Sequence, residues 1–343
     1  MRSSRRPSFL TAVFLVGAPA LAQTSAPNDL SWMCRDVPAA VGAVEEVALP
    51  VGTSPRAITV GPDLQLWFTE GSGKIGRLSR SGEVTEFPLP TRSAGPQQLV
   101  PALDGNLWFT ESSVSRVGRI TPQGEVTEFP LPSRGSAPTG ITSDLDGHVW
   151  FTELTGNRIG RMSWSGELTE FSLPSGSQPR AITLGLDGRV WFTEQGTNKV
   201  AAMAEEGTLS EYDVPTPRSG LAGIAVGLDG AVWFTEQLGN KVGRVTREGL
   251  VTEYDVPTPG SGPLALSLGP DGNLWFVESL ANQVARITRD GVITEFAIPT
   301  VDSVPAGIVF APPGPLCLDA HLWFTEFGGD KLGKVRALPV PSR

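Results

Sequence analysis

Histidine is scarce in this 343-residue chain, with only His148 and His321. Imidazole is the side chain that most often moves protons near neutral pH, so two isolated copies leave the usual hydrolytic constellations unassembled. Cysteine is as scarce: Cys34 and Cys317 alone exclude a cysteine-rich metal cluster or a scaffold built from disulfides. Charged residues make up 18% of the chain, below the roughly 25% usual for soluble domains. No basic patch or stripe offers a footprint for nucleic acid or for an anionic membrane surface. No apolar run reaches the roughly 20 residues of a bilayer-spanning helix. No segment has helical periodicity, so no glycine-rich loop stands before a helix to cradle phosphate.

What the chain has in quantity is glycine (40) and proline (30), the profile of a turn-dense all-β protein. Its first residues read as an export signal covering residues 1–22. Arg2, Arg5 and Arg6 precede an apolar stretch over residues 9–20, and Ala20-Leu21-Ala22 is a small-x-small cleavage site. Ser4-Arg5-Arg6 followed by Phe9-Leu10 resembles a twin-arginine signal with the phenylalanine one residue late. Cleavage removes three arginines and no acid, leaving 24 basic against 36 acidic residues and a net charge near −12. Residues 23–43 form a linker, and residues 44–343 carry the repeats described next.

A Trp-Phe pair recurs at Trp67, Trp108, Trp150, Trp191, Trp233, Trp275 and Trp323, at intervals of 41 to 48 residues. Seven self-similar modules of that length mean a repeat architecture. Each reads as four short strands, A to D; in the fourth these are residues 181–184, 190–194, 199–203 and 208–212. The A to B turns carry Asp104-Gly105, Asp146-Gly147, Asp187-Gly188, Asp229-Gly230 and Asp271-Gly272, a hairpin dipeptide whose glycine takes the positive φ of a tight turn. Proline in strand D, as in Phe87-Pro88-Leu89-Pro90, suits only an edge strand. Closing the row into a ring removes its uncovered ends, and the predicted fold is a seven-bladed β-propeller of four-stranded antiparallel blades. Gly42 to Pro50 matches Gly82 to Pro90, and the last module stops after strand C, so the N-terminal segment becomes strand D of blade 7. Cys34 and Cys317 both belong to that blade, and in an exported protein they are expected to form a disulfide.

Function belongs to the face where the long D to A loops and the B to C loops lie, since the opposite face has only tight turns. Strand B ends in Glu70, Glu111, Glu153, Glu194, Glu236, Glu278 and Glu326. Such a ring is a candidate for binding a cation or a basic ligand. The stronger reading is structural: Lys74, Arg77, Arg116, Arg119, Arg158, Arg161, Lys241, Arg244 and Lys331 lie in the same hairpins and are expected to pair with these acids. The tryptophans are expected to pack between blades, and Trp164, in a C to D turn, to be a partly exposed surface aromatic. Just before strand A the modules differ, and variation inside a repeat is where an asymmetric site is encoded. Arg56, Gln97 and Arg180 face blades carrying Leu264 and Ala306, so an axial pocket has a polar and an apolar side. An anionic or amphipathic ligand fits it; the alternative is that the arginines neutralise the glutamates. His148 and His321 fall on the tight-turn face, away from the pocket.

Leu107-Trp108-Phe109-Thr110-Glu111, Asn240-Lys241-Val242-Gly243-Arg244-Val245 and Gly291-Val292-Ile293-Thr294-Glu295-Phe296-Ala297-Ile298-Pro299-Thr300 resemble the streptogramin B lyase (virginiamycin B lyase) family. The likeness runs over residues 44–335, every blade. It implies a seven-bladed propeller that linearises a cyclic depsipeptide by metal-assisted elimination. It also implies a His before strand A of blade 6, Glu-Pro-His before strand A of blade 7, and a Glu after the Trp-Phe of blade 7. Those positions here are Leu264, Val304-Pro305-Ala306 and Glu326. With the histidines replaced, the expectation is a noncatalytic ligand- or protein-binding module, monomeric, periplasmic or secreted, whose partner is a small molecule or an envelope protein. No catalytic residue and no metal ligand is assigned, and magnesium is implied only if lyase chemistry is kept. The alternative is a carbon–oxygen lyase or a lactone- or ester-cleaving enzyme.

Overall fold

A computed structural model describes residues 40–312 and 321–338. Twenty-eight strands form seven four-stranded antiparallel sheets, and in six of them the strand order is the sequence order. The seventh is closed from both ends of the chain. Val44–Ala48 pairs with Lys331–Arg336, which pairs with His321–Glu326 and then with Pro305–Ala311. The register Val44↔Val335 and Ala48↔Lys331 makes the N-terminal strand the outer strand of blade 7, as the repeat alignment requires. The predicted seven-bladed propeller is therefore the observed fold. The expected export signal and both cysteines, with their expected disulfide, lie outside the described residues.

Strand A, innermost in every blade, runs Pro55–Val60, Pro96–Pro101, Pro138–Ser143, Pro179–Leu184, Leu221–Val226, Pro263–Leu268 and Pro305–Ala311. Strand B begins at Leu66, Leu107, His148, Val190, Val232, Leu274 and His321 and is buried almost throughout. Its tryptophan packs against the next blade: Trp67 lies with Leu107, Phe109 and Ile120, and Trp191 with Val232 and Phe234. Burying aromatic rings of this size at every joint is the main apolar force holding blades together. Its neighbour, the phenylalanine, lies over a glycine of strand C. A Cβ on Gly118 would meet the Phe109 ring at 2.1 Å, which is why that cross-strand position stays small.

Arginine from strand C covers the tryptophan from outside. Arg77 lies 5.3 Å from the ring centres of both Trp67 and Phe87, and Arg119 and Arg161 repeat the arrangement. Blade 4 has Ala202 at that strand position, and Arg189 from the A to B turn covers Trp191 instead, at 4.8 Å. The indole N–H is fixed as well: Trp108 Nε1 donates to Asp104 at 3.1 Å and Trp275 to Asp271 at 3.0 Å. The turn aspartate thus both shapes the hairpin and anchors the ring. Trp164, expected as a partly exposed surface aromatic, is half-buried against the Trp108 cluster.

Candidate functional site at the axial opening

Every strand A is interrupted two residues after it begins. In blade 2 Pro96 pairs with Glu111 and Leu99 with Phe109, so Gln97 and Gln98 stand against Thr110 alone, and the other six blades repeat this bulge. An extra residue frees one N–H from the ladder and re-aims a side chain. The freed N–H is answered by the threonine of strand B: Gly140 donates to Thr152 Oγ1 at 2.8 Å and Gly223 to Thr235 Oγ1 at 2.8 Å. The same hydroxyl then donates across the joint. Thr69 reaches the carbonyl of Gln97 at 2.8 Å, Thr152 that of Arg180 at 2.7 Å, Thr235 that of Leu264 at 2.5 Å, and Thr325 that of Arg56 at 2.6 Å. Thr110 and Thr193 do likewise toward Thr139 and Ala222. Six of seven joints are stitched this way, and the seventh, between blades 6 and 7, has Val277 in place of the threonine and cannot be.

The residues whose carbonyls accept these bonds are Arg56, Gln97, Thr139, Arg180, Ala222 and Leu264, and Ala306 holds the equivalent position in blade 7. Each occupies the first bulge position of its strand A, at the loop-rich end of the innermost strands. Blades 1 to 4 contribute polar side chains and blades 5 to 7 apolar ones. Arg56 Nη1 donates to Gln97 Oε1 at 3.4 Å and its guanidinium lies 5.3 Å from the Phe327 ring centre. Gln97 Nε2 donates to Ser112 Oγ at 3.1 Å. Among the described residues Arg180 makes no hydrogen bond and no ion pair through its guanidinium, and burial lowers its pKa. Leu264 packs against the blade 6 and 7 core beside Trp275 and Phe324.

The seven glutamates do not form an open ring. Each is 0% exposed, and among the described residues none makes an ion pair. Glu70 accepts a hydrogen bond from Ser72 at 2.7 Å and Glu194 one from Thr197 at 2.7 Å, while both oxygens of Glu111, Glu153, Glu236, Glu278 and Glu326 have no partner. Burial pushes Glu111 and Glu236 up to about 8 and Glu70, Glu153, Glu278 and Glu326 up to about 7, with a strand D glutamate's charge adding to it. Glu194 moves the same way. The expected pairing with neighbouring bases is corrected here. Lys74, Lys241 and Lys331 bridge instead to Glu86, Glu253 and Glu46 of strand D, at 2.6, 3.4 and 2.8 Å, and Arg116 to Glu128. Arg77, Arg119, Arg161 and Arg244 lie over tryptophan rings. At the outer strand an ion pair keeps water nearby, whereas beside Glu70 it would have to be fully desolvated. Nor do Arg56 and Arg180 neutralise these acids, since neither bridges to one.

Two features of this face carry no obvious sequence signal. Asparagines of the B to C loops take a left-handed backbone and organise the next loop: Asn240 Nδ2 donates to the carbonyls of Val256 and Thr258, and its Oδ1 accepts from Ser261. The residue before strand A is also left-handed in all seven blades, so that its carbonyl meets the N–H after the strand B glutamate. Glycine fills that position in blades 2, 5 and 6, but in blade 7 it is Val304, at φ 48° and 39% exposed. A β-branched residue is strained there.

A sequence profile of the virginiamycin B lyase family matches residues 37–227 and 177–338, overlapping stretches that run through every blade. The chain belongs to the virginiamycin B lyase family. Virginiamycin B lyases of Nocardia farcinica and Bordetella pertussis are 41% identical over 68 residues and 46% identical over 57. Those stretches span 19% and 16% of this chain and only 24% and 19% of the two relatives. The structure of virginiamycin B lyase from Staphylococcus aureus matches with a TM-score of 0.81 at 40% identity, covering 86% of this chain and 99% of that one. A catalytically inactive histidine-to-alanine variant of the Staphylococcus aureus protein with quinupristin matches with the same TM-score and coverage at 39% identity. A putative 6-phosphogluconolactonase from Bacteroides uniformis, 17% identical with a TM-score of 0.57 over 74% of this chain and 86% of that one, shares the fold alone.

Blades 6 and 7 carry other side chains at the positions where the resemblance expects histidine and glutamate. Leu264 and Ala306 carry no nitrogen base, Val304 carries no carboxylate, and Glu326 is enclosed. Among the described residues no group of three or more His, Cys, Asp or Glu is placed to hold a metal ion. The residues present therefore do not fit the divalent cation that family resemblance implies. His148 Nδ1 lies 3.2 Å from Asp144 Oδ2 at the tight-turn end of blade 3, and His321 also starts a strand B at that end.

Proposed function

We propose that this chain is an exported, noncatalytic binding propeller of the virginiamycin B lyase family, taking a small ligand or a protein partner at its axial opening. The observation that carries this reading is the set Leu264, Val304 and Ala306. An elimination needs a base to take a proton beside a carbonyl and a cation to hold the charge that develops, each worth orders of magnitude in rate. Those three side chains supply neither. A single histidine-to-alanine change accompanies inactivity in the Staphylococcus aureus relative, and this chain has alanine where the resemblance expects a histidine. Arg2, Arg5, Arg6 and the apolar stretch after them support export.

One observation favours the enzymatic alternative: Glu326, the surviving family position, is pushed up to about 7, where a general base works well. The same shift occurs in blades with no such role, which ascribes it to burial at the blade joint rather than to catalysis. The test is incubation of the purified protein with a streptogramin B antibiotic with and without magnesium, following the linear product by mass spectrometry. No turnover above the protein-free rate is expected, and turnover would overturn the noncatalytic reading. Fractionation of expressing cells tests export, with mature protein beginning at Gln23 as the expected result.

A further inference from the structure

The polar arc at the axial opening holds a positive charge that the protein leaves unanswered. Other strand-borne cations are committed: Lys74, Arg116 and Lys331 to strand D glutamates, Arg77, Arg119 and Arg244 to aromatic faces. Arg180 is committed to no described residue. It is half-buried, among the described residues its guanidinium has neither hydrogen bond nor ion pair, and the acids nearest in the blade sequence are sealed inside the joints. A guanidinium taken from water without a counter-charge is costly, and its planar fork of donors matches a carboxylate or a phosphate. Arg56 is engaged by the Phe327 ring, 5.3 Å away, but its hydrogen bonding is sparse: one nitrogen reaches Gln97 at 3.4 Å, and its buried Nε has no partner. In blades 6 and 7 the equivalent positions are Leu264 and Ala306, half-buried and with no polar group in their side chains, while Ala222 of blade 5 is buried. Seven bulges bring these residues into equivalent positions around one axis, so the asymmetry of side chains is an asymmetry of a single opening.

We propose that the axial opening binds an organic anion with an apolar body, its carboxylate or phosphate held by Arg180 with Arg56 and Gln97, its apolar part laid against Leu264 and Ala306. This rests on the binding role proposed above and names the ligand's chemistry. The overall net charge of −9 repels anions at long range, so a bound anion reports a local site and not a diffuse field.

The experiment is calorimetric titration of the purified full chain at low ionic strength with octanoate, octyl phosphate, acetate and octylamine. Saturable binding of octanoate or octyl phosphate is expected, with the tighter of the two identifying the head group. Acetate, which lacks the tail, binds more weakly, and octylamine does not bind. Arg180→Gln should weaken the anion about 10- to 100-fold, the range for losing a hydrogen bond to a charged group. Leu264→Glu, which keeps Arg180 and puts a negative charge on the apolar arc, should abolish binding, and both variants are checked for an unchanged circular dichroism spectrum. Absence of saturable binding by both anions overturns the proposal. So does equal affinity in folded Arg180→Gln, or binding of octylamine as tight as octanoate. A chain that opens the antibiotic and binds octanoate loses the noncatalytic reading and keeps this site; a chain that does neither loses this site alone.

Discussion

In each blade the end of strand B and the start of strand A lie side by side, yet they carry different kinds of information. The end of strand B is nearly uniform: threonine in six blades, glutamate in all seven, every one buried. The start of strand A is irregular, from Arg56 through Thr139 to Leu264. One uniform region holds the ring together, and the variable region next to it borrows that rigidity to present side chains at a common opening. Repetition therefore marks construction, and departure from repetition marks the proposed recognition site.

The bluntest way to break this comparison is to open the ring, since both regions act across joints. Deleting residues 23–50 removes Val44–Ala48, leaving Lys331–Arg336 without its outer partner. Loss of any cooperative melting transition by circular dichroism is expected; a truncated protein that melts at the full-length temperature contradicts the closure.

Rewriting only the variable region should change activity while the fold stays. Leu264→His, Val304→Glu and Ala306→His together place a base and a carboxylate around Glu326. The expected result is magnesium-dependent opening of a streptogramin B antibiotic, slow because the groups that orient the new side chains are not optimised. A folded triple variant without activity would mean that the opening has been reshaped beyond these positions.

The buried carboxyls give the uniform region a pH signature. Their folded pKa values lie above the ordinary 4.5, so between 4.5 and about 8 the folded state holds protons that the unfolded state has released. Their contribution is complete below 4.5 and is lost as pH rises through about 7 to 8. Glu46 and Glu128 work in the opposite direction: burial alone would raise them, but hydrogen bonds from Lys331, Thr300, Thr91 and Arg116 hold them low, and their contribution is lost as pH falls below 4.5. Stability measured by urea unfolding should therefore peak near pH 5 and decline toward pH 8, by on the order of 1 kcal/mol for each inner carboxyl. Glu111→Gln, which cannot ionise, should lessen the decline, and a variant as pH-sensitive as the parent would refute this account.

The smallest effect tests the stitch. Thr110→Val leaves the Thr139 carbonyl and the Gln98 N–H without their shared hydroxyl, at a cost of about 1–3 kcal/mol. Val277→Thr supplies the missing bond at the blade 6 and 7 joint and should add about 0.5–1.5 kcal/mol. Equal and negligible shifts in the two denaturation midpoints would remove the threonine from the argument.

Much of the ring was readable because its signals are local: Trp-Phe spacing, Asp-Gly turns, and a proline-containing strand D such as Val84–Pro88. The match of Gly42 to Pro50 with Gly82 to Pro90 placed the closing strand correctly. The partners of the strand B glutamates were misread for a physical reason. Arg116 stands directly opposite Glu111 in the register, but its long side chain reaches outward to Glu128, where an ion pair stays near water. Pairing along a strand does not reveal which of two acids on the same face a flexible cation will choose. The bulges were invisible because Gln97 and Gln98 continue the strand in sequence and differ only in which N–H loses its partner. The variable positions before strand A were found, since variation within a repeat needs no structure to be seen.

The hydroxyl bridge from one blade to the next has a consequence for how such a ring can change its size. Each repeat carries a donor on one flank and an acceptor on the other, so a gene segment duplicated between Thr69 and Thr235 delivers both halves of a new joint already matched. A duplicate of the sixth repeat would instead carry Val277 with it and introduce a second unbonded joint. Growth of this ring by copying is thus favoured from the first five repeats, and the sixth is the place where a lengthened ancestor or descendant would most easily part.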